Sequence, residues 1–201
     1  MSADDTPGDD PVATALTEGS AYDRLRVQRI SVFPWSLAEK LQRLGVVLLA
    51  LGAALGAFTF VPPDGGAIPA DPGQVPTYAS LTALTALAAL ALAALVLSIL
   101  GLFRDRNEPL SDQHAETMLV VEEMCGLVGF VTGGTITAIA VVLCLLPFLG
   151  ADGVAWLART LARSPYAPIT TALPAVPSIL APIALLLGVF CLLAGHRWRV
   201  Q

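Results

Sequence analysis

The side chains able to do chemistry are few, and they gather in one stretch of the chain. Glu122 and Glu123 stand where a polar segment gives way to an apolar run, with Glu116 and His114 just upstream. Glu116 and Glu123 are seven residues apart, so on a helix they share a face. Carboxylates at the mouth of a membrane helix bind cations or relay protons in many proteins. At headgroup level the same pair is the only acid–base couple that an enzyme acting on lipids could use here. Their boundary position points first to a plainer state, solvation by water and headgroups. A metal site needs three or four ligands, and His114 falls on a different helix face from Glu123, so no metal is expected.

Further along the same apolar run lies Thr132-Gly133-Gly134-Thr135. Paired glycines weaken a helix, and broken helices near the membrane midplane build the substrate sites of many transporters. The simpler expectation is packing: Gly126, Gly129 and Gly133 form a stripe of small residues, and the Thr hydroxyls bond back to their own helix. Gly52-Ala53-Ala54-Leu55-Gly56 is a literal Gly-x-x-x-Gly, with Gly45 one heptad earlier; such faces bring helices into close contact. Ala79, Ala83, Ala86 and Ala93 offer a second smooth face.

The remaining candidates are weaker. Cys125, Cys144 and Cys191 all lie in apolar runs, none in a Cys-x-x-Cys pair, and read as small apolar residues rather than a disulfide framework. Both histidines, His114 and His196, lie outside the apolar runs, which leaves no bis-histidine haem site within them. The chain has no Gly-rich phosphate loop, no Gly-x-Ser-x-Gly and no His-Glu-x-x-His. No catalytic residue and no cofactor are expected, and no enzyme.

Four apolar stretches must position these residues: 44–61, 78–103, 124–150 and 178–195. The hydrocarbon core of a bilayer is about 30 Å thick, and about 20 apolar residues in a helix cross it. Backbone polar groups find no partner in lipid, so crossing segments are helical or form closed barrels. These runs are Leu- and Ala-rich without strand alternation, which points to an all-α integral membrane protein, a four-transmembrane-helix bundle with short interfacial helices. Composition agrees: 55% of the 201 residues are hydrophobic and 13% charged, where soluble domains average about 25% charged. The bases are ten Arg and one Lys, Lys40, against 16 acidic residues. This Asp-rich, Lys-poor usage resembles haloarchaeal membrane proteins, with an actinobacterial origin as the competing reading. No basic patch with interleaved aromatics exists, so no nucleic-acid partner is expected.

Outside the bundle, 1–20 is acidic and poor in apolar residues and reads as a disordered tail. The juxtamembrane segment 21–43 holds an amphipathic helix over Ala21–Ile30, an interfacial Trp35, and Ser36-Leu37-Ala38-Glu39, the spacing of a capping box. The first long helix therefore starts at Leu37, with Lys40 and Arg43 at headgroup level, and Pro62-Pro63 stop it. A third helix capped by Ser111 begins near Asp112 and projects into water before crossing. In the loop after it, Val154, Leu157 and Leu161 predict a helix lying flat on the membrane, and Pro182 predicts a kink in the fourth crossing. Nine bases flank the N-terminus, the loop 104–123 and the tail 196–201, whereas Arg159 and Arg163 are alone on the other side. By the positive-inside rule both termini are cytoplasmic, with external loops 62–77 and 151–177.

Two functions are carried forward. The first is a small subunit, scaffold or regulator of a cell-membrane complex, acting in the bilayer through a homo-oligomer or other membrane subunits. The second is a small oligomeric transporter or pore with its pathway near Thr132–Thr135.

Overall fold

A capping box starts the first helix, α1 (Leu37–Phe58): Ser36 Oγ accepts from the Glu39 N–H, and Glu39 Oε2 accepts from the Ser36 N–H at 3.0 Å. It ends at Thr59, three residues before Pro62-Pro63, because the Thr59 hydroxyl and N–H both turn back onto the Gly56 carbonyl. The computed structural model describes residues 34–62, 68–107, 111–171, 173 and 175–200. The acidic tail 1–20 and the helix expected over Ala21–Ile30 lie outside the described residues.

Helix α2 (Tyr78–Asn107) opens on a reciprocal pair in which Thr77 and Ser80 satisfy each other's backbone donors. Ser111 caps α3 (Asp112–Leu127), which continues through a π-helical turn (Val128–Gly133) into α4 (Gly134–Leu145) and a 3-10 turn (Leu146–Leu149). Together these form one 38-residue rod, about 57 Å long at 1.5 Å per residue. That exceeds the roughly 30 Å hydrocarbon core of a bilayer. Its first turns are polar and exposed on most sides, with Ala115, Met118 and Leu119 buried. A short helix α5 (Ala151–Thr160) follows, then α6 (Pro177–Val200), which runs through Pro182.

Among the described residues, four segments are long and apolar enough to cross a membrane: Leu37–Phe58, Tyr78–Arg106, Asp112–Leu149 and Pro177–Arg199. All are longer than the apolar runs that betray them, because helix continues past each run into its charged flank. The only strand-like feature among the described residues is one isolated bridge, Thr77 to Pro168.

The most extensive pairing is antiparallel, α1 against α6. A Cβ added to Gly45 would meet the Gly188 carbonyl at 2.8 Å, one on Gly195 the Ala38 carbonyl at 2.7 Å, and one on Gly52 the Leu185 side chain at 2.8 Å. Two pairs of heptad-spaced small residues thus face each other, Ala38 and Gly45 against Gly195 and Gly188, with Gly52 one heptad further covered by Leu185. A seven-residue period is the one that keeps a seam between two helices in register. On the other flank, Gly129 packs on Ala93 and Leu44, and Gly133 on Leu90, so the alanine face of α2 lies inside the bundle.

The loop-side end is closed by 164–169. Tyr166 is fully buried, stacks on Phe58 and donates its O–H to the Leu143 carbonyl at 2.8 Å. Burial pushes its phenol pKa up, with nearby Cys144 adding a smaller Coulombic push. Backbone bonds from Ala79 to Pro165 and from Ile169 to Pro76 hold the segment against the start of α2.

Candidate functional site

The site begins with α1. Lys40 lies on its first turns and points inward, where only 4% of its side chain is exposed. From α3, Glu122 points at the same place with the same exposure, and Lys40 Nζ donates to Glu122 Oε1 at 2.7 Å. This corrects the expectation of a solvated Glu122, whose carboxylate is enclosed by protein. Both are interior groups, and an ion pair lies inside the bundle where no charge was foreseen. The physical reason is the stripe on which Glu122 sits. Ala115, Glu122, Gly129 and Gly133 recur at helical spacing along the inward side of α3 and the π turn. Glycines on that stripe let α2 approach closely and carry Glu122 inward with them. The backbones of α1 and α3 make few close approaches of their own, so the ion pair is a main link between them.

A buried ion is costly to desolvate, and a close partner offsets that cost. The pair therefore favours the register of α1 and α3 in which the ammonium and the carboxylate meet. Lys40 is also the chain's sole lysine among ten arginines. A compact ammonium on a flexible stem fits a packed interior better than a planar guanidinium fork. That one exception in the base composition was the signal that could have revealed the pair from sequence. Glu123, one residue on, is half-buried rather than interior.

Just past the pair, Trp35 makes an edge-to-face contact with Phe130 of the π turn at 5.2 Å between ring centroids. The Arg43 guanidinium lies 3.6 Å from the centre of the Trp35 ring. The π turn is where the Gly134 N–H reaches the Gly129 carbonyl, five residues back. Such turns recur at functional positions in helices.

The Thr132–Thr135 segment faces away from the ion pair. Gly133 is buried, whereas Thr132 and Thr135 are exposed on the outer side of the bundle with Val128, Val131 and Ile139. Thr82, Thr85, Thr117, Thr137 and Thr160 all donate to the carbonyl four residues earlier. The hydroxyls of Thr132 and Thr135 make no such bond among the described residues, contrary to the back-bonding expected of them. The inward polar residue of this region is Thr137, which donates to the Gly133 carbonyl at 2.7 Å.

The expected packing glycines divide. Gly45, Gly52, Gly129 and Gly133 are tightly covered and Gly126 is buried, but the space beside Gly56 is open. The Gly-x-x-x-Gly therefore acts through Gly52 alone, its partner being Gly45 at heptad spacing. Gly188 and Gly195, which sequence reasoning passed over, complete the seam; their own seven-residue spacing mirrors that of Gly45 and Gly52. Cys125, Cys144 and Cys191 are free thiols. Among the described residues, no group of three or more His, Cys, Asp or Glu is placed to hold a metal ion.

Fold and site together define a helical bundle with four membrane-length apolar helices and an interior Lys–Glu pair. No protein family model, curated protein or solved structure matches the chain.

Proposed function

We propose that the protein is a multi-pass cell-membrane protein with both chain ends cytoplasmic, acting as a contact subunit of a membrane assembly. The observation that carries this reading is the outward pair Thr132 and Thr135, exposed and without hydrogen bonds in the middle of a membrane-length helix. A hydroxyl facing hydrocarbon without a partner is unfavourable, and hydroxyls are a common means of joining one membrane helix to another. A second protein surface on this face supplies what lipid cannot. The inward glycines are already covered within one chain, so association through this face leaves the fold of each protomer intact.

Cysteine placed at Thr132 or Thr135, on a background with the native cysteines replaced, tests the reading by oxidative cross-linking in native vesicles. A discrete adduct is expected from these positions and none from Leu186 on the opposite helix. An isolated monomer in mild detergent, with no adduct in the membrane, overturns it. The π turn supports a second reading, a pathway between copies lined by the same hydroxyls. Gly134, with open space beside it, is the position to fill: Gly134→Leu should abolish solute flux in reconstituted vesicles under that reading and leave it at background under the first.

A further inference from the structure

The α1–α6 seam opens at the arginine-rich end into a groove of about 530 Å³ lined by Glu39, Gln42, Arg43, Val46, Val47 and Leu192, with Arg199 at its rim. Its floor is aliphatic and its mouth is polar. Arg43 is held by one face against the Trp35 ring, and its guanidinium makes no hydrogen bond or ion pair among the described residues. A guanidinium stacked in this way keeps its N–H donors, which lie in the plane of the group, free for an anion. Arg199 reaches Glu39 only loosely, at 3.6 Å, with both side chains well exposed. Two arginines against one carboxylate leave the mouth cationic.

We infer that this groove is a binding site for an anionic phospholipid, whose phosphate is held by Arg43 and Arg199 while an acyl chain lies along Val46, Val47 and Leu192. Three features fit that occupant together. Arg43 lies in the second turn of α1 and Arg199 in the last turn of α6, near the level expected for headgroups; the aliphatic wall continues from them along α1, and the charge is complementary to a phosphodiester. A soluble anion would need the cations but not the wall; a neutral lipid would need the wall but not the cations. The inference rests on the four helices crossing a bilayer and is independent of the Thr132–Thr135 face.

The test uses the full chain in nanodiscs of mixed phosphatidylglycerol and phosphatidylcholine, with native mass spectrometry of the released protein. Retention of phosphatidylglycerol over phosphatidylcholine is expected. A base near an anionic lipid surface contributes enough for Arg43→Gln to lower that preference about five-fold, and Arg43→Gln with Arg199→Gln about 25-fold. Arg43→Lys, which keeps the charge, should retain most of it. Millimolar inorganic phosphate should displace none of the lipid; displacement would mean that the site takes free phosphate instead. A photo-crosslinking residue at Val46 should label lipid. Label on residues 1–33 would show that the chain's own N-terminal segment fills the groove and would overturn the inference, as would equal retention of both lipids or an unchanged double variant. Failure of the wild type to enter nanodiscs would instead defeat the membrane reading itself.

Discussion

The two sides of the third rod are built from similar residues and are in opposite states. Its inward stripe carries Glu122, Gly129, Gly133 and Thr137, and each has a partner: a lysine, an alanine with a leucine, and a leucine from other helices, and for Thr137 the Gly133 carbonyl of its own rod. Among the described residues no buried side-chain nitrogen or oxygen lacks a hydrogen-bond partner. The outward stripe carries Thr132 and Thr135 among Val128, Val131 and Ile139, and its hydroxyls are unmet. Inward polarity is satisfied within the fold, and outward polarity is what the proposed contact with another surface would satisfy. The contrast separates residues whose loss should unfold the protein from residues whose loss should leave it folded but alone.

The ion pair offers the strongest way to break that contrast. Glu122→Leu alone strands the buried Lys40 ammonium, and a loss of about 3–5 kcal/mol is expected in detergent unfolding; Lys40→Met removes the lysine from the pair and should also destabilise. The double variant should recover most of it. Additive losses would show that the two groups do not act as a pair.

The glycine seam comes next. Gly188→Ala must displace Leu49 or the Gly45 carbonyl, an overpacking expected to cost about 1–3 kcal/mol. Gly56→Ala enters open space and should instead stabilise the helix by about 0.5–1 kcal/mol. Equal effects at the two positions would erase the distinction between covered and uncovered glycines.

At the loop end, Tyr166→Phe removes the bond to the Leu143 carbonyl and should cost about 1 kcal/mol. The pH dependence has a definite sign. The unfolded phenol ionises near 10.0, while the folded one holds its proton to higher pH. Tyr166 therefore contributes fully below pH about 10, and stability declines as pH rises above that value. Comparing wild type with Tyr166→Phe isolates this part of the alkaline decline.

The smallest effect on stability should come from Thr132→Val with Thr135→Val, within about 0.5 kcal/mol for surface positions. The same variant should abolish association through this face, read as loss of the higher-mass species by light scattering in mild detergent. A large stability loss without a change in association would move these residues from the outer to the inner group.

Much of the architecture was legible because hydropathy and capping are local. Ser36 and Glu39 mark the start of α1, Ser111 marks the start of α3, and the four apolar runs mark the four long helices. The site was less legible. Glu122 at a polar–apolar boundary reads as solvated until its neighbours are known, and the threonines beside paired glycines read as self-satisfied until the π turn is seen. Gly52 and Gly56 look equivalent in sequence, yet only one meets another helix.

The sequence by itself determined that the chain has four membrane-length helices, since length and hydropathy depend on no neighbour. It also determined where the two best-marked helices begin, since a cap satisfies donors a few residues away. Only the tertiary structure decided which helix faces which. That choice turns a lone lysine and a boundary glutamate into an interior pair, encloses one set of glycines, and leaves two hydroxyls outside. Burial is a property of neighbours distant in sequence, and the same residue types read alike until those neighbours are in place.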